Sequence, residues 1–237
     1  MTARTDRPLA NAAVSDLLAY CQGGGEIRPR TEGDASDAYS SVGKRILDII
    51  LVLIVAVPVF AIMLVLLPIL STDGHSPFFI QKRVGRGGRL FRMYKLRTMV
   101  PHAEEVLEAH LASDPEARAE WDHHQKLRND PRITRLGRLL RRSSVDELPQ
   151  FLNVLLGDMS IVGPRPMMPS QRSLYPGEAY YDLRPGVTGL WQVSDRNDSS
   201  FAERALFDTA YAEGLSLRTD LAIMSRTVGV VTRATGH

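Results

Sequence analysis

Two adjacent carboxylates, Asp146 and Glu147, sit in the block Asp146-Glu147-Leu148-Pro149-Gln150, directly after a basic run that includes Arg138, Arg141 and Arg142. Dense arginine lowers a carboxylate's proton affinity, and an ionised, partly desolvated carboxylate is what a nucleophile or a magnesium ligand must be. A plainer reading competes, because Ser144 to Glu147 fits the S-x-x-E capping box. With Ser144 as N-cap, however, Pro149 would be the fifth helical residue and its ring would strike the Val145 carbonyl. A helix opening at Pro149 and stopping at Gly157 avoids that clash and places both carboxylates just ahead of its positive end. A surface aspartate that merely balances neighbouring arginines would leave the same trace, so both readings stand on this segment alone.

Few other residue types could carry chemistry. A lone cysteine, Cys21, leaves no internal disulfide and no CxxC metal site, and the six histidines form no HExxH pair. Any metal must therefore rest on oxygen ligands. Phe78 to Met99 is strongly basic, with Lys82, Arg83, Arg86, Arg89, Arg92, Lys95 and Arg97, and glycines 85, 87 and 88 predict a β-hairpin there. Helix formers follow from His102 to Leu127, broken at Asp114-Pro115. In Arg132 to Arg142, Ile133, Leu136 and Leu140 share one face, with Leu139 at its edge and arginines elsewhere. That is the pattern of a helix lying in a membrane interface, and equally of an ordinary helix packing leucine inward.

The element that decides between those settings is an uncharged run of 22 residues, Ile49 to Leu70. One straight helix over it would measure ~33 Å against a hydrocarbon core of ~30 Å. Pro58 near the middle predicts a kink and two legs, 46–57 and 59–70, of ~18 Å each. Lys44 and Arg45 precede the run, and Lys82, Arg83 and Arg86 follow it. A simple span would put one basic group on the non-cytoplasmic side, so a re-entrant helix-break-helix hairpin fits the positive-inside tendency better; a kinked single pass stays open. Leu221, Met224, Val228 and Val231 recur at helical spacing near the C-terminus, as in a second interfacial helix or a core helix.

The chain of 237 residues, 44% hydrophobic and 24% charged, is neither disordered nor collagen-like, and its +2 net charge argues against a general polyanion binder. Residues 1–43, with Gly23-Gly24-Gly25 and more acidic than basic groups, predict a flexible arm without chemistry. The organisation expected is the arm, a membrane hairpin over 44–72 and a catalytic domain over 73–233. The fold class expected is α+β and mainly helical: a re-entrant membrane hairpin, amphipathic interfacial helices and a small cytoplasmic catalytic domain containing a β-hairpin.

Several blocks, in one order, resemble the bacterial sugar transferases, the monotopic polyprenyl-phosphate phosphoglycosyl transferases that begin exopolysaccharide and O-antigen repeat units. They are Lys44-Arg45 with Asp48 before the apolar run, Arg83-Val84-Gly85, Tyr94 to Met99, Asp130-Pro131-Arg132 and Asp146 to Gln150. Gly157 to Ser160, Gly163-Pro164-Arg165-Pro166 and Arg184 to Val193 complete the set. The resemblance covers about residues 44 to 233 and implies the short form of the family. It implies transfer of a sugar-1-phosphate from a UDP-sugar to undecaprenyl phosphate with release of UMP, by ping-pong covalent catalysis with Mg2+, at the cytoplasmic face of the bacterial inner membrane. The partners implied are the UDP-sugar, undecaprenyl phosphate and the lipid bilayer, with a homodimer left open and no nucleic acid.

By the same resemblance, Asp146 is the nucleophile, Glu147 supports the metal or orients the site, and Lys95 belongs to the catalytic set. Arg141, Arg97 and Arg165 would bind substrate phosphate, and Asp208 would complete a metal site with Asp146 and Glu147. Arg184, Thr188, Gln192 and Arg196 would shape the nucleotide-sugar pocket. The chain departs from the family pattern at Val57, where serine often precedes the hairpin proline, and at Asp195, where glycine is usual. A reading from a different class, a membrane-tethered basic module for nucleic acid or anionic lipid, explains the arginines and leaves the dyad without a purpose.

Overall fold

The computed structural model describes residues 39–124, 127–194 and 201–232. Most of the expected arm, and Arg196, lie outside them. The described residues are mainly helical with two small sheets. A π-helical turn, Tyr39–Gly43, leads into helix α1, Lys44–Leu70, the only described helix long and apolar enough to cross a membrane. Helical geometry continues through Pro58 and Pro68, so the break expected at Pro58 is not a gap between two helices.

Two well-separated points of α1, Val52 and its last residue Leu70, join clusters with the same hairpin. Strands β1, Phe78–Val84, and β2, Leu90–Leu96, pair antiparallel around the Gly85 to Arg89 turn, as the glycines required. Val52 joins a cluster with Phe91, Met93, Val154 and Met159, while Leu70 joins Leu96 and Leu140. Val52 and Leu70 would be ~27 Å apart on a straight helix, whereas Met93 and Leu96 are ~10 Å apart on a strand. Between these anchors the helix stands away from the rest of the molecule, with Val57 76% exposed and Ile54, Phe60 and Leu64 open beside it.

The acidic stretch folds as α2, Ala103–Ser113, and α3, Pro115–His124, divided at Asp114 as expected. Helix α4, Arg135–Arg142, is capped by Thr134, whose hydroxyl accepts from the Gly137 N–H. Its apolar face is used inside the molecule: Leu140 is buried and Leu136 packs beside it against Leu70 and Leu96, leaving Leu139 outside. The inward-packing alternative therefore holds for the Leu136 and Leu140 face.

Helix α5, Gln150–Leu156, starts right after Pro149 and ends at Gly157, whose φ of 88° is the left-handed conformation that glycine adopts freely. The second sheet pairs β3, Ser160–Val162, with β4, Gly186–Thr188, in parallel. Two short helices, α6, Ala179–Asp182, and α7, Leu190–Val193, flank β4. Helix α8, Arg204–Glu213, and helix α9, Leu217–Thr232, close the fold around Tyr211, Leu215 and Ile223. On α9, Ile223 is buried in the core and Met224 of the expected stripe packs against it, while Leu221 and Val228 of that stripe are exposed together with Leu217. Val231 lies among side chains outside the description.

Candidate active site

Three elements bring the dyad into place. Val145–Glu147 forms a single 3-10 turn after Ser144, whose φ of 55° is strained for a residue with a side chain. Ser144 makes no side-chain cap, so the capping-box reading fails and the Pro149 argument holds. Helix α5 is then tied to β2 by Asn153, which is fully buried: its amide donates to the Arg92 carbonyl at 2.7 Å and accepts from the Tyr94 N–H at 3.1 Å. Arg45 of α1 donates to the Val154 and Leu155 carbonyls at the other end of α5.

β2 then presents Lys95 to the dyad, with Nζ 2.5 Å from Glu147 Oε1. Asp146 is buried, and burial pushes its carboxyl up from the ordinary value despite the opposing pull of Lys95 and Arg141. That corrects the expectation that nearby arginine lowers its proton affinity: loss of solvent outweighs the cations, and the Glu147 charge adds to it. Arg141 lies close enough to act on Asp146 and anchors itself by donating from Nε to Thr98 Oγ1 at 2.9 Å. Thr98 in turn touches α4 so closely that a Cβ on Gly137 would stand 2.0 Å from its carbonyl oxygen.

A small cleft opens beside Glu147 of the dyad, lined in part by Lys95, Glu147, Arg83, Gln150, Arg165 and Gln192. Arg165 is held there by its turn. The Arg204 guanidinium donates to its carbonyl at 2.6 Å, the Arg165 guanidinium lies 5.8 Å from the Trp191 ring, and Arg83 donates to the Pro166 carbonyl at 3.1 Å. Gly163 permits this packing, since a Cβ there would stand 2.3 Å from the Arg184 carbonyl oxygen. Burial, with Arg165 adding to it, pushes Arg83 down to about 10. Lys95, Arg83 and Arg165 thus surround one cavity with a single carboxylate among its charged linings, a setting that favours a multiply charged anion.

The structure gathers Asp146, Glu147, Lys95, Arg141, Arg165 and Gln192 in or around this site. It directs others elsewhere. Arg97 donates to the Leu70 carbonyl and to Asp73 at 2.7 Å, securing the end of α1. Arg184 donates to the Gly157 carbonyl, and the Thr188 hydroxyl pairs with that of Thr227. Asp208 accepts from the Tyr175 hydroxyl at 2.8 Å, and burial pushes its carboxyl up to about 6. Among the described residues no three carboxylate, histidine or cysteine groups gather to hold a metal, so the expected Asp146, Glu147 and Asp208 set does not form. Asp208 is oriented instead toward Tyr175 and Arg204 by the packing of α8.

Two lining residues with polar side chains, Arg83 and Gln150, were not foreseen as site residues. Arg83 had a signal, as one cation of the basic hairpin, but only strand alternation and the Lys95 partner show which face it serves. Gln150 carries no sequence signal beyond its place in the dyad block.

The family described as bacterial sugar transferase matches residues 39–234. The UDP-galactose-lipid carrier transferase of Erwinia amylovora is 46% identical over 195 residues, 81% of this chain and 41% of that protein. The undecaprenyl-phosphate galactose phosphotransferase of Salmonella typhimurium is 44% identical over 235 residues, 97% of this chain and 48% of that one. The exopolysaccharide production protein ExoY of Rhizobium meliloti is 42% identical over 200 residues, 82% of this chain and 88% of that one. The chain thus spans somewhat under half the length of the first two relatives and most of the third. With a match over nearly all the described residues, the chain belongs to the bacterial sugar transferase family.

Proposed function

We infer that the protein transfers a sugar-1-phosphate from a UDP-sugar to undecaprenyl phosphate, releasing UMP, as the first membrane step of exopolysaccharide or O-antigen synthesis. The observation that carries this reading is a buried Asp146 next to Glu147, which lines a cation-rich cleft, in a family with a relative named undecaprenyl-phosphate galactose phosphotransferase. In the first half-reaction a carboxylate oxygen of Asp146 attacks the phosphorus that bears the sugar. The bond from that phosphorus to the bridging oxygen breaks, and UMP leaves with the electron pair. In the second, a phosphate oxygen of the lipid attacks the same phosphorus, and the Asp146 carboxylate is restored. A covalent intermediate lets a soluble donor and a lipid acceptor use one site in turn.

Arg83 and Arg165 are placed to bind the donor's phosphates, with Lys95 holding Glu147 in position. Asp146 and Glu147 suit Mg2+, which takes one or two carboxylates and completes its shell with water and substrate phosphates. The ion supplies charge neutralisation on the phosphates as UMP departs. Relatives named for galactose and for glucose leave the sugar to be found by assay.

The anchoring of both ends of α1 on one domain, Lys44 and Arg45 at its start and Leu70 at its end, supports a re-entrant helix with both flanks and the catalytic domain on the cytoplasmic side of the inner membrane. Several hairpin and neighbouring cations turn inward, to Asp73, Asp130 and Glu147, which favours the enzyme over a basic binding module. The deciding experiment incubates detergent-purified protein with Mg2+, undecaprenyl phosphate and a panel of UDP-sugars while UMP is measured. One donor should release UMP, and Asp146→Asn should abolish that release with an unchanged melting profile. Full activity in that variant would end the assignment.

A further inference from the structure

Of the large apolar side chains on its catalytic face, the hairpin leaves Phe79 exposed, and the proposed chemistry has not used it. In an antiparallel pair, directly opposed residues project to the same face. Phe79 opposes Lys95, Gln81 opposes Met93 and Arg83 opposes Phe91, so these six side chains share one face. Arg83, Met93 and Lys95 line the cleft, which therefore extends from Lys95 toward the turn end of the hairpin. Phe79 flanks the Lys95 end of that polar pocket, directly opposite this residue, with Cβ atoms ~5 Å apart. It is 47% exposed.

The next pair along this face leads to the membrane element. The Arg97 N–H donates to the Pro77 carbonyl, extending the ladder, and the Arg97 side chain reaches the Leu70 carbonyl at the end of α1. Arg97, Lys95 and Met93 follow one another on the face at intervals of ~7 Å. Phe79 thus stands level with the lysine that holds Glu147, one residue pair from the arginine that reaches the end of the apolar helix. Along this face Arg83 lies toward the turn, while the exposed Phe79 ring lies at the Lys95 end, nearer the pair that contacts the apolar helix.

We propose that Phe79 is an acceptor-binding residue, packing against the isoprene units next to the phosphate of the polyprenyl phosphate as that phosphate reaches Asp146. This rests on the transferase reading above. A phosphate carrying a hydrocarbon chain must enter the polar site with its first isoprenes still out of water, and an exposed ring beside Lys95 provides that cover. Ile80, 53% exposed one residue on, projects to the opposite face and serves as the control.

The test measures equilibrium binding of undecaprenyl phosphate to the full chain in detergent micelles, without donor, for the parent protein, Phe79→Ala and Ile80→Ala. Phe79→Ala should raise Kd about tenfold, the scale of one lost aromatic contact, and Ile80→Ala should leave it unchanged. A parallel assay follows exchange of labelled UMP into the UDP-sugar, which needs only the first half-reaction; Phe79→Ala should retain it while the acceptor KM rises. An unchanged Kd, equal loss in both half-reactions, or weakened flotation with liposomes at unchanged Kd would each overturn the proposal. Failure of exchange in the parent protein with every UDP-sugar would strike the transferase reading instead, with the Kd comparison still deciding the role of Phe79.

Discussion

At the scale of single residues, the site is governed by how burial and local charge compete on Asp146. Removing water raises its proton affinity, Lys95 and Arg141 oppose that, and burial prevails. A nucleophile must be ionised, so the acid limb of the pH profile should lie above the range of an ordinary aspartate. Lys95→Met removes the cation that favours the ionised form. It should therefore move that limb to higher pH, as well as lower the rate, when UMP release is followed from pH 5 to 9. A limb that stays put or moves down would mean that Lys95 acts on something other than this carboxylate. Sequence alone pointed to the pair and to its arginines; it could not weigh them, because desolvation depends on what α1, β2 and α4 place around Asp146.

At the scale of elements, the dyad depends on close approaches between backbones. Helix α4 lies against Thr98 only because residue 137 has no side chain, and from that seat Arg141 reaches the Thr98 hydroxyl. Gly137→Ala would force α4 outward. Overpacking of this kind costs about 1–3 kcal/mol, and it should lower the thermal midpoint in detergent while reducing UMP release more than tenfold through the displaced Arg141. Alanine at Gly87, which meets nothing within 4 Å but sits at a φ of 64°, tests backbone strain without such a clash. The β-hairpin, the break at Asp114 and the start of α5 at Pro149 were all legible from glycine, proline and alternation, because those signals act within a few residues. The facing of α9 and the inward packing of α4 were not, since an apolar stripe looks the same whether protein or lipid covers it.

For the whole molecule, the decisive arrangement is that α1 begins and ends on the same small domain. A re-entrant path keeps both flanks on one side of the bilayer. Single cysteines at Ser41 and His75, in a chain with Cys21 replaced by serine, should both resist an impermeant reagent in intact cells and react after permeabilisation. Labelling of either from outside would mean a span. The sequence by itself determined the apolar run with its proline, the basic hairpin, the dyad and the ordered blocks that mark the family, since each is a matter of residue type and spacing along the chain. Only the tertiary structure decided that Arg97 secures the end of α1, that Asp208 faces Tyr175 away from the dyad, and that Arg83 shares a face with Lys95. The reason is physical: a charged side chain takes the nearest partner that packing offers, and that partner comes from a distant part of the chain.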